Sequence, residues 1–258
     1  VYSHIQRYGQ HDQAFGIEVV LLDLKNPRKV IGRTKGPFMI PDEYYEHTGQ
    51  VPHVIFPSGA LIRGEHLEIY YGAADTYCAV ATIPLDNLLS SITDDHTAGM
   101  KRFKGNPIIT PRPGMIWEEK GTLNPAAIDI GDKTHILYRA FSADNISTIG
   151  YATSSDGFSI DERLDKPIYK PRVAFESRGC EDQRVMQIAD RIYMTYTAYD
   201  GGVPRVAVSS ISTKDFLARK WGAWSLPNII TPMEVDNKDA AILPAPVDGK
   251  YMVYHRVH

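Results

Sequence analysis

Several short polar clusters in this sequence stand directly before apolar runs. Residues 181–184 read Glu-Asp-Gln-Arg, residues 238–239 read Lys-Asp, and Asn124 precedes Pro-Ala-Ala-Ile. A carboxyl group can donate a proton as a general acid, and a neighbouring Arg or Lys can bind an anion or fix the acid in place. Residue types alone leave a second interpretation open, because charged residues that lead into strands also form structural ion pairs.

Two arginines and one aspartate extend this set. Arg139 and Arg256 lie at the ends of otherwise apolar runs, and a strand-buried guanidinium needs an anionic partner, which can be structural or functional. Asp75 follows Tyr-Tyr-Gly-Ala-Ala, whose small residues would allow a ligand to approach closely. Single histidines without metal-ligand spacing are found at His4, His53 and His255. We therefore predict neither a metal site nor an organic cofactor.

The chain contains two recurring units that indicate how these residues are positioned. The first is an apolar run that ends in tyrosine, at Tyr2, Tyr71, Tyr138, Tyr196 and Tyr254. The second is an apolar tetrad flanked by prolines, at residues 37–41, 107–111 and 167–171. Both recur about every 60 residues, which is the behaviour of a repeat architecture.

The local pattern within each repeat is typical of strands. Short runs rich in Val, Ile, Tyr and Thr are separated by turn signals such as the Asp-Gly pairs at 156–157 and 248–249. A helical turn is expected at residues 85–91, as a connection and not as a layer of the fold. About four strands per repeat favour an all-β fold of the β-propeller type, with a β-sandwich as the alternative.

In a propeller, the first strand of each blade lines the central channel. The runs that begin near residues 51, 123, 181 and 237 are the candidates for these inner strands. Each has polar residues at its leading edge, so we expect five side chains to converge on one channel mouth. These are Asn124, Asp182, Arg184, Lys238 and Asp239.

Composition limits the function further. The chain has 258 residues, 28 Lys and Arg, 31 Asp and Glu, and a formal net charge of −3. The near balance of acidic and basic residues argues against a nucleic-acid partner, which would require a basic face. No apolar segment is long enough to predict a membrane span, so no membrane partner is expected. The two cysteines cannot form a disulfide framework, and this favours a reducing, cytoplasmic location.

Several of these segments together resemble glycoside hydrolase family 130, the mannoside phosphorylases and related β-mannosidases. The matching stretches are Leu-Asn-Pro-Ala-Ala-Ile at 123–128, Cys-Glu-Asp-Gln-Arg at 180–184, Asn-Lys-Asp-Ala-Ala-Ile-Leu-Pro at 237–244 and Tyr-Tyr-Gly-Ala-Ala-Asp at 70–75. The resemblance covers nearly the whole chain. It implies a five-bladed propeller, of which about four blades are expected in this chain.

The resemblance also implies an activity and a set of roles. It implies an enzyme that cleaves β-mannosidic bonds of manno-oligosaccharides with inversion, with inorganic phosphate as co-substrate and mannose 1-phosphate as product. By this likeness Asp182 is the general acid, acting through a sugar hydroxyl, and Lys238 and Arg256 bind phosphate. The positions implied to contact the sugar are Asn124, Arg139, Asp75 and Glu181. A β-mannosidase that uses water and a non-catalytic sugar-binding propeller are the alternatives.

The sequence departs from the family pattern in order and at two positions. Residues 1–95 match the late part of a family module and residues 106–258 its early part, with a linker at 96–105. We therefore expect a junction of tandem modules or a permuted module that lacks about one blade, and an open side that favours homo-oligomers. Gln183 replaces a proline, which is expected to loosen the backbone beside the acid, and Ala245 replaces a glutamate.

Overall fold

The structure is a computed structural model that describes residues 1–8, 12–93 and 99–257. It divides into two compact units, Val1–Thr110 with Thr122–Asn124, and Pro111–Gly121 with Pro125–His258. Part of the predicted linker at 96–105, residues 96–98, lies outside the described residues. The division into late and early module parts stays a prediction.

The first unit contains eight strands and two short helices in its described part. In chain order these are β1 (Tyr2–Tyr8), β2 (Asp12–Glu18), β3 (Val20–Leu22), β4 (Val30–Arg33), α1 (Tyr44–His47), β5 (Ile55–Arg63), β6 (His66–Ala73), β7 (Tyr77–Pro84), α2 (Leu85–Thr93) and β8 (Lys101–Arg102). Strands β5 to β8 form a four-stranded antiparallel meander, and β1–β2 and β3–β4 form two-stranded pairs. Helix α2 confirms the helical connection predicted at 85–91.

The second unit contains the remaining elements, except that residues 122–124, near the start of the first of them, belong to the first unit. These are β9 (Gly121–Ile130), β10 (Lys133–Phe141), β11 (Ser147–Ser154), β12 (Glu162–Arg163), β13 (Gly179–Ile188), β14 (Arg191–Tyr199), β15 (Arg205–Ser212), α3 (Thr213–Leu217), β16 (Asn228–Ile229), β17 (Asn237–Ile242) and β18 (Val253–Val257), with 3-10 turns at Ala174–Glu176 and Trp221–Ala223. Strands β9–β12 and β13–β16 are two meanders joined by one parallel bridge between Ser147 and Gly179. Strands β17 and β18 form a separate antiparallel pair. Four consecutive strands are thus grouped together at β5–β8, β9–β12 and β13–β16, as the repeat predicts, while the other described strands form pairs.

Each proline-flanked tetrad forms an isolated bridge with one strand, which is β2, β7 or β11. The bridges join Met39 to Ile17, Ile109 to Cys78 and Tyr169 to Ile149. The prolines can stand at both ends because such an outer segment makes few ladder hydrogen bonds.

The repeated tyrosines have a structural role that the sequence pattern did not specify. Tyr71 and Tyr138 are fully buried, and their hydroxyls donate to Glu46 and Glu118 at 2.8 Å in each case. Tyr196 donates in the same way to Glu176. All three glutamates are completely buried. A buried carboxylate needs such partners, so this hydrogen bond fixes the second strand of each repeat to the segment before its first strand.

Each unit has its own hydrophobic core. The core of the first unit includes Ile17, Ile55, Ile69, Ala81 and Ile83. The core of the second unit includes Leu137, Tyr151, Met194, Ile211 and Phe216. Most of these residues lie on the second or third strand of a meander, so burial of apolar surface there helps to hold the first strand and its polar leading edge in position.

Candidate functional site

Three polar residues on first strands share an uncommon backbone conformation. Asn124 on β9, Asp182 on β13 and Asp239 on β17 have φ values of +49°, +53° and +53°. Apart from glycine, this left-handed region is occupied mainly by Asn and Asp, whose short side chains bond locally. In β13 and β17 the residue lies within a register shift, between Glu181 and Arg184 and between Lys238 and Ala241. A bulge re-aims a side chain, which suits residues at a site.

Asp182 lies beside the guanidinium of Arg139 from strand β10. Arg139 Nη1 is 3.2 Å from Asp182 Oδ1 and 3.4 Å from Oδ2, and its Nη2 is 2.9 Å from Glu181 Oε1. Ser147 receives a hydrogen bond from Arg139 Nε at 3.0 Å. The anionic partner predicted for a strand-buried Arg139 is thus the carboxylate pair of β13.

Gln183 does not leave the backbone beside Asp182 loose, which corrects the expectation from the missing proline. Its side chain is fully buried, and its amide Nε2 donates to the carbonyl oxygen of Leu137 on β10 at 2.6 Å. Arg184 adds a second restraint, since its Nη1 donates to the carbonyl oxygens of Asp182 at 2.9 Å and Gln183 at 3.1 Å. Side-chain hydrogen bonds here replace the rigidity that a proline ring would supply.

Burial and like charge perturb the ionisation of this cluster. Burial raises the pKa of Glu181, the Arg139 guanidinium opposes that rise, and the charge of Asp182 adds to it. Burial lowers the pKa of Arg184, while Asp239 and Asp182 act in the opposite direction. Carboxyl groups crowded in this way resist full ionisation, which is the condition under which one of them can hold a proton to donate.

The two predicted phosphate ligands face each other across the β17–β18 pair. Lys238 and Arg256 are directly opposed in the register, so their Cβ atoms are about 5 Å apart and on the same face. Arg256 Nε is 3.0 Å from Asp239 Oδ2. The charge of Lys238 also opposes the rise in the pKa of Glu181.

Asp239 links the two groups electrostatically. Burial raises its pKa, the charge of Asp182 raises it further, and Arg184, Arg256 and Lys238 oppose the rise. The second unit therefore holds one polar cluster drawn from strands β10, β13, β17 and β18. Its members are Arg139, Glu181, Asp182, Arg184, Lys238, Asp239 and Arg256.

Two other predicted site residues belong to the first unit. Asn124 is 4% exposed, and Asp75 follows β6 with a φ of +48°. Gly72 lies beneath the Asn124 side chain, where a Cβ atom on Gly72 would be 2.1 Å from Asn124 Oδ1. Gly72 is one of the small residues before Asp75 that were expected to let a ligand approach. It instead accommodates the side chain of Asn124.

Replacing Gly72 with alanine is therefore expected to displace Asn124. The added methyl group would also lie 2.9 Å from the Asn124 backbone nitrogen, so the backbone itself must shift. Overpacking of this kind lowers the free energy of unfolding by about 1–3 kcal/mol. Chemical denaturation measures the change, and Gly36→Ala is the control because no atom lies within 4 Å of the position that its Cβ would take. Equal effects of the two substitutions would contradict the packing described for Asn124.

Two aromatic residues that could stack on a sugar ring, Tyr71 and Trp117, are engaged in packing. Tyr71 is fully buried, and Trp117 stacks on Tyr138 with ring centroids 6.4 Å apart. Among the residues that the structure describes, no group of three or more His, Cys, Asp or Glu side chains is arranged to hold a metal ion. Within residues 1–8, 12–93 and 99–257, no helix is long and apolar enough to cross a membrane.

Comparisons with known proteins identify the family of the chain. A family model described as glycoside hydrolase family 130, beta-1,4-mannooligosaccharide phosphorylase, matches residues 2–94 and 103–258. A beta-1,2-mannobiose phosphorylase of Thermoanaerobacter sp. strain X514 is 31% identical over 175 residues, covering 61% of this chain and 54% of the relative. The chain thus spans about half the length of the curated relatives it matches.

Solved structures extend the comparison to the fold. A structure from a study of family 130 mannoside phosphorylases, described as containing glycoside hydrolases that target beta-1,2 mannosidic linkages in Candida mannan, is 28% identical with a TM-score of 0.51, covering 60% of this chain and 52% of its own. A Bombyx mori family 32 beta-fructofuranosidase is 11% identical with a TM-score of 0.54, covering 86% of this chain and 50% of its own. At that identity the likeness concerns the fold alone, which is the all-β propeller type.

Proposed function

Because the chain belongs to glycoside hydrolase family 130, the β-mannoside phosphorylase family, we propose that it performs inverting phosphorolysis of β-manno-oligosaccharides. The observation that carries this proposal is the opposed pair Lys238 and Arg256, with Asp239 linking it to Asp182. Two cations on one face can bind a divalent anion, and an arginine fork suits phosphate. The arrangement thus combines an acid with a candidate phosphate site.

The proposed reaction needs one proton donor and one nucleophile. A phosphate oxygen attacks the anomeric carbon of the mannosyl residue, and the bond from that carbon to the leaving sugar oxygen breaks. The proton of Asp182 passes to the leaving oxygen, directly or through a sugar hydroxyl. Inversion converts a β-mannoside into α-mannose 1-phosphate and a sugar shortened by one unit. No second protein carboxylate is needed, because phosphate needs no general base.

Arg139 supports the charge that this step leaves behind. Its contact of 3.2 Å with Asp182 stabilises the carboxylate formed when the proton departs. Glu181 shares the same guanidinium at 2.9 Å, so its position depends on Arg139 as well. We assign Arg139 and Glu181 to sugar contact at this cluster, and Asn124 and Asp75 to sugar contact within a completed five-bladed module. A cytoplasmic location fits, since phosphorolysis conserves bond energy as a sugar phosphate.

A β-mannosidase activity is the second candidate. The matched family 130 structure comes from a study that places glycoside hydrolases in this family of mannoside phosphorylases. Hydrolysis by water is therefore a candidate reaction beside phosphorolysis. Product analysis on β-1,2- and β-1,4-linked mannobiose, with and without phosphate, separates the candidates. Phosphate-dependent mannose 1-phosphate supports the proposal, mannose released without phosphate supports the hydrolase, and binding without products supports a sugar-binding propeller.

Substituting either predicted phosphate ligand is expected to weaken phosphate use selectively. Lys238→Met and Arg256→Met each remove a charge-assisted contact, so the KM for phosphate should rise about tenfold or more. The KM for the mannoside should change much less. Lys214→Met, on the exposed surface of α3, is the matched control. Steady-state kinetics at varied phosphate measures the effect, and a KM for phosphate that neither substitution moves would exclude the pair from this role.

A further inference from the structure

Asp239 is a largely buried carboxylate in the cluster to which the proposed reaction assigns no step. It lies in the bulge of β17, with φ +53°, as Asp182 lies in the bulge of β13. Its side chain is 13% exposed, whereas that of Arg256 is 41% exposed. A non-glycine residue held in this region costs about 1–3 kcal/mol, and such strain clusters at functional sites. The two aspartates are therefore equivalent in backbone conformation but differ in partner.

Asp239 contacts Arg256 in a way that leaves the two terminal nitrogens of its guanidinium available. The carboxylate Oδ2 lies 3.0 Å from Arg256 Nε, the nitrogen nearest the side-chain stem. The two terminal nitrogens of a guanidinium carry the donors that match two phosphate oxygens. Among the described residues, Asp239 is the only ion-pair partner of Arg256. The contact of Asp239 with Nε thus orients the guanidinium without using its two terminal nitrogens.

The other oxygen of Asp239 gives an independent indication. Oδ1 is buried and has no hydrogen-bond partner among the described residues. A buried acceptor left unpaired costs about 1–3 kcal/mol, so folding stability alone does not explain this carboxylate. Asp182 also faces it from β13 with the same charge, and Arg184 with the opposite one.

We propose that Asp239 is a positioning residue that holds the Arg256 guanidinium across the β17–β18 pair, so that Arg256 and Lys238 bind one phosphate together. This inference rests on the proposed phosphorolysis and adds a residue that acts through Arg256. Removing a positioning carboxylate should weaken phosphate binding, whereas removing a carboxylate that merely lies nearby should strengthen it. A negative charge near an anion site weakens phosphate binding, so removing a bystander would tighten it.

The test is phosphate affinity measured by calorimetry on the protein and on Asp239→Asn. Asparagine keeps the size of the side chain and tolerates the left-handed backbone, so the variant should fold. The Kd for inorganic phosphate should rise about tenfold, since a misplaced Arg256 loses a charge-assisted contact. The KM for phosphate should rise in parallel, with kcat within a few-fold of the parent. Asp200→Asn, at an Asp–Arg pair of 2.8 Å outside the cluster, should change neither quantity.

A double substitution identifies the route of the effect. In an Arg256→Met background, Asp239→Asn should no longer weaken phosphate binding, because there is no guanidinium left to position. Tighter or unchanged binding by the single Asp239→Asn variant would overturn the positioning role and leave phosphorolysis standing. Full additivity of the two substitutions would also overturn it. A parent protein that binds no phosphate would overturn both proposals.

Discussion

Replacing Asp182 with asparagine is expected to reduce turnover by about a hundred-fold or more. The substitution keeps the size of the side chain and removes the proton that the leaving oxygen needs, and general-acid contributions are of this magnitude. The left-handed backbone at φ +53° suits asparagine as well as aspartate, so the fold should be preserved. Turnover and mannoside affinity measured side by side test this, with affinity expected to stay close to that of the parent.

The matched control for this experiment is Asp200→Asn. Asp200 also pairs with an arginine, Arg205 at 2.8 Å, but it lies outside the cluster, so turnover should be unchanged. Turnover of Asp182→Asn within a few-fold of the parent would remove Asp182 from the role. Glu181 would then be the residue to substitute, because burial raises its pKa and it shares the guanidinium of Arg139.

Replacing Glu46 with glutamine is expected to lower the free energy of unfolding by about 3–5 kcal/mol. Glu46 is fully buried and accepts hydrogen bonds from Tyr71 at 2.8 Å and from Arg102 at 2.7 and 2.8 Å. The backbone nitrogens of Asp42 and Glu43 donate to it at 2.7 and 3.1 Å. Losing the carboxylate leaves the Arg102 charge without its buried partner, which is among the costliest single changes in a core.

Denaturant unfolding of the variant and of Glu65→Gln measures this effect. Glu65 is exposed in the turn between β5 and β6, so its substitution should change the free energy of unfolding by less than about 0.5 kcal/mol. A Glu46→Gln variant as stable as the control would mean that the Tyr–Glu contact does not hold the repeat together. Glu118 makes the same kind of contact with Tyr138 and pairs with Arg112 and Arg163, so Glu118→Gln should behave alike.

The buried glutamates show how much of the structure could be predicted from the sequence repeat. Glu46 and Glu176 each follow the second proline of a tetrad by five residues, so a positional signal was present in the sequence. Their pairing with tyrosines was not predictable from that signal. Tyr71 lies 25 residues beyond Glu46, and Tyr196 lies 20 residues beyond Glu176. Contacts at such separations form only when intervening strands fold back on each other.

The candidate site was likewise predictable only in part from the sequence. Local sequence determined the strand repeats, the polar leading edges of the first strands and the family to which the chain belongs, because strand pattern, turn residues and motifs are properties of neighbouring residues. Only the tertiary structure decided that Arg139 pairs with Asp182, 43 residues away, and that Asp239 holds Arg256. It also showed that Gln183 anchors the backbone it was expected to loosen. Ion pairing and burial depend on distances between strands remote in sequence, and these distances are set by packing.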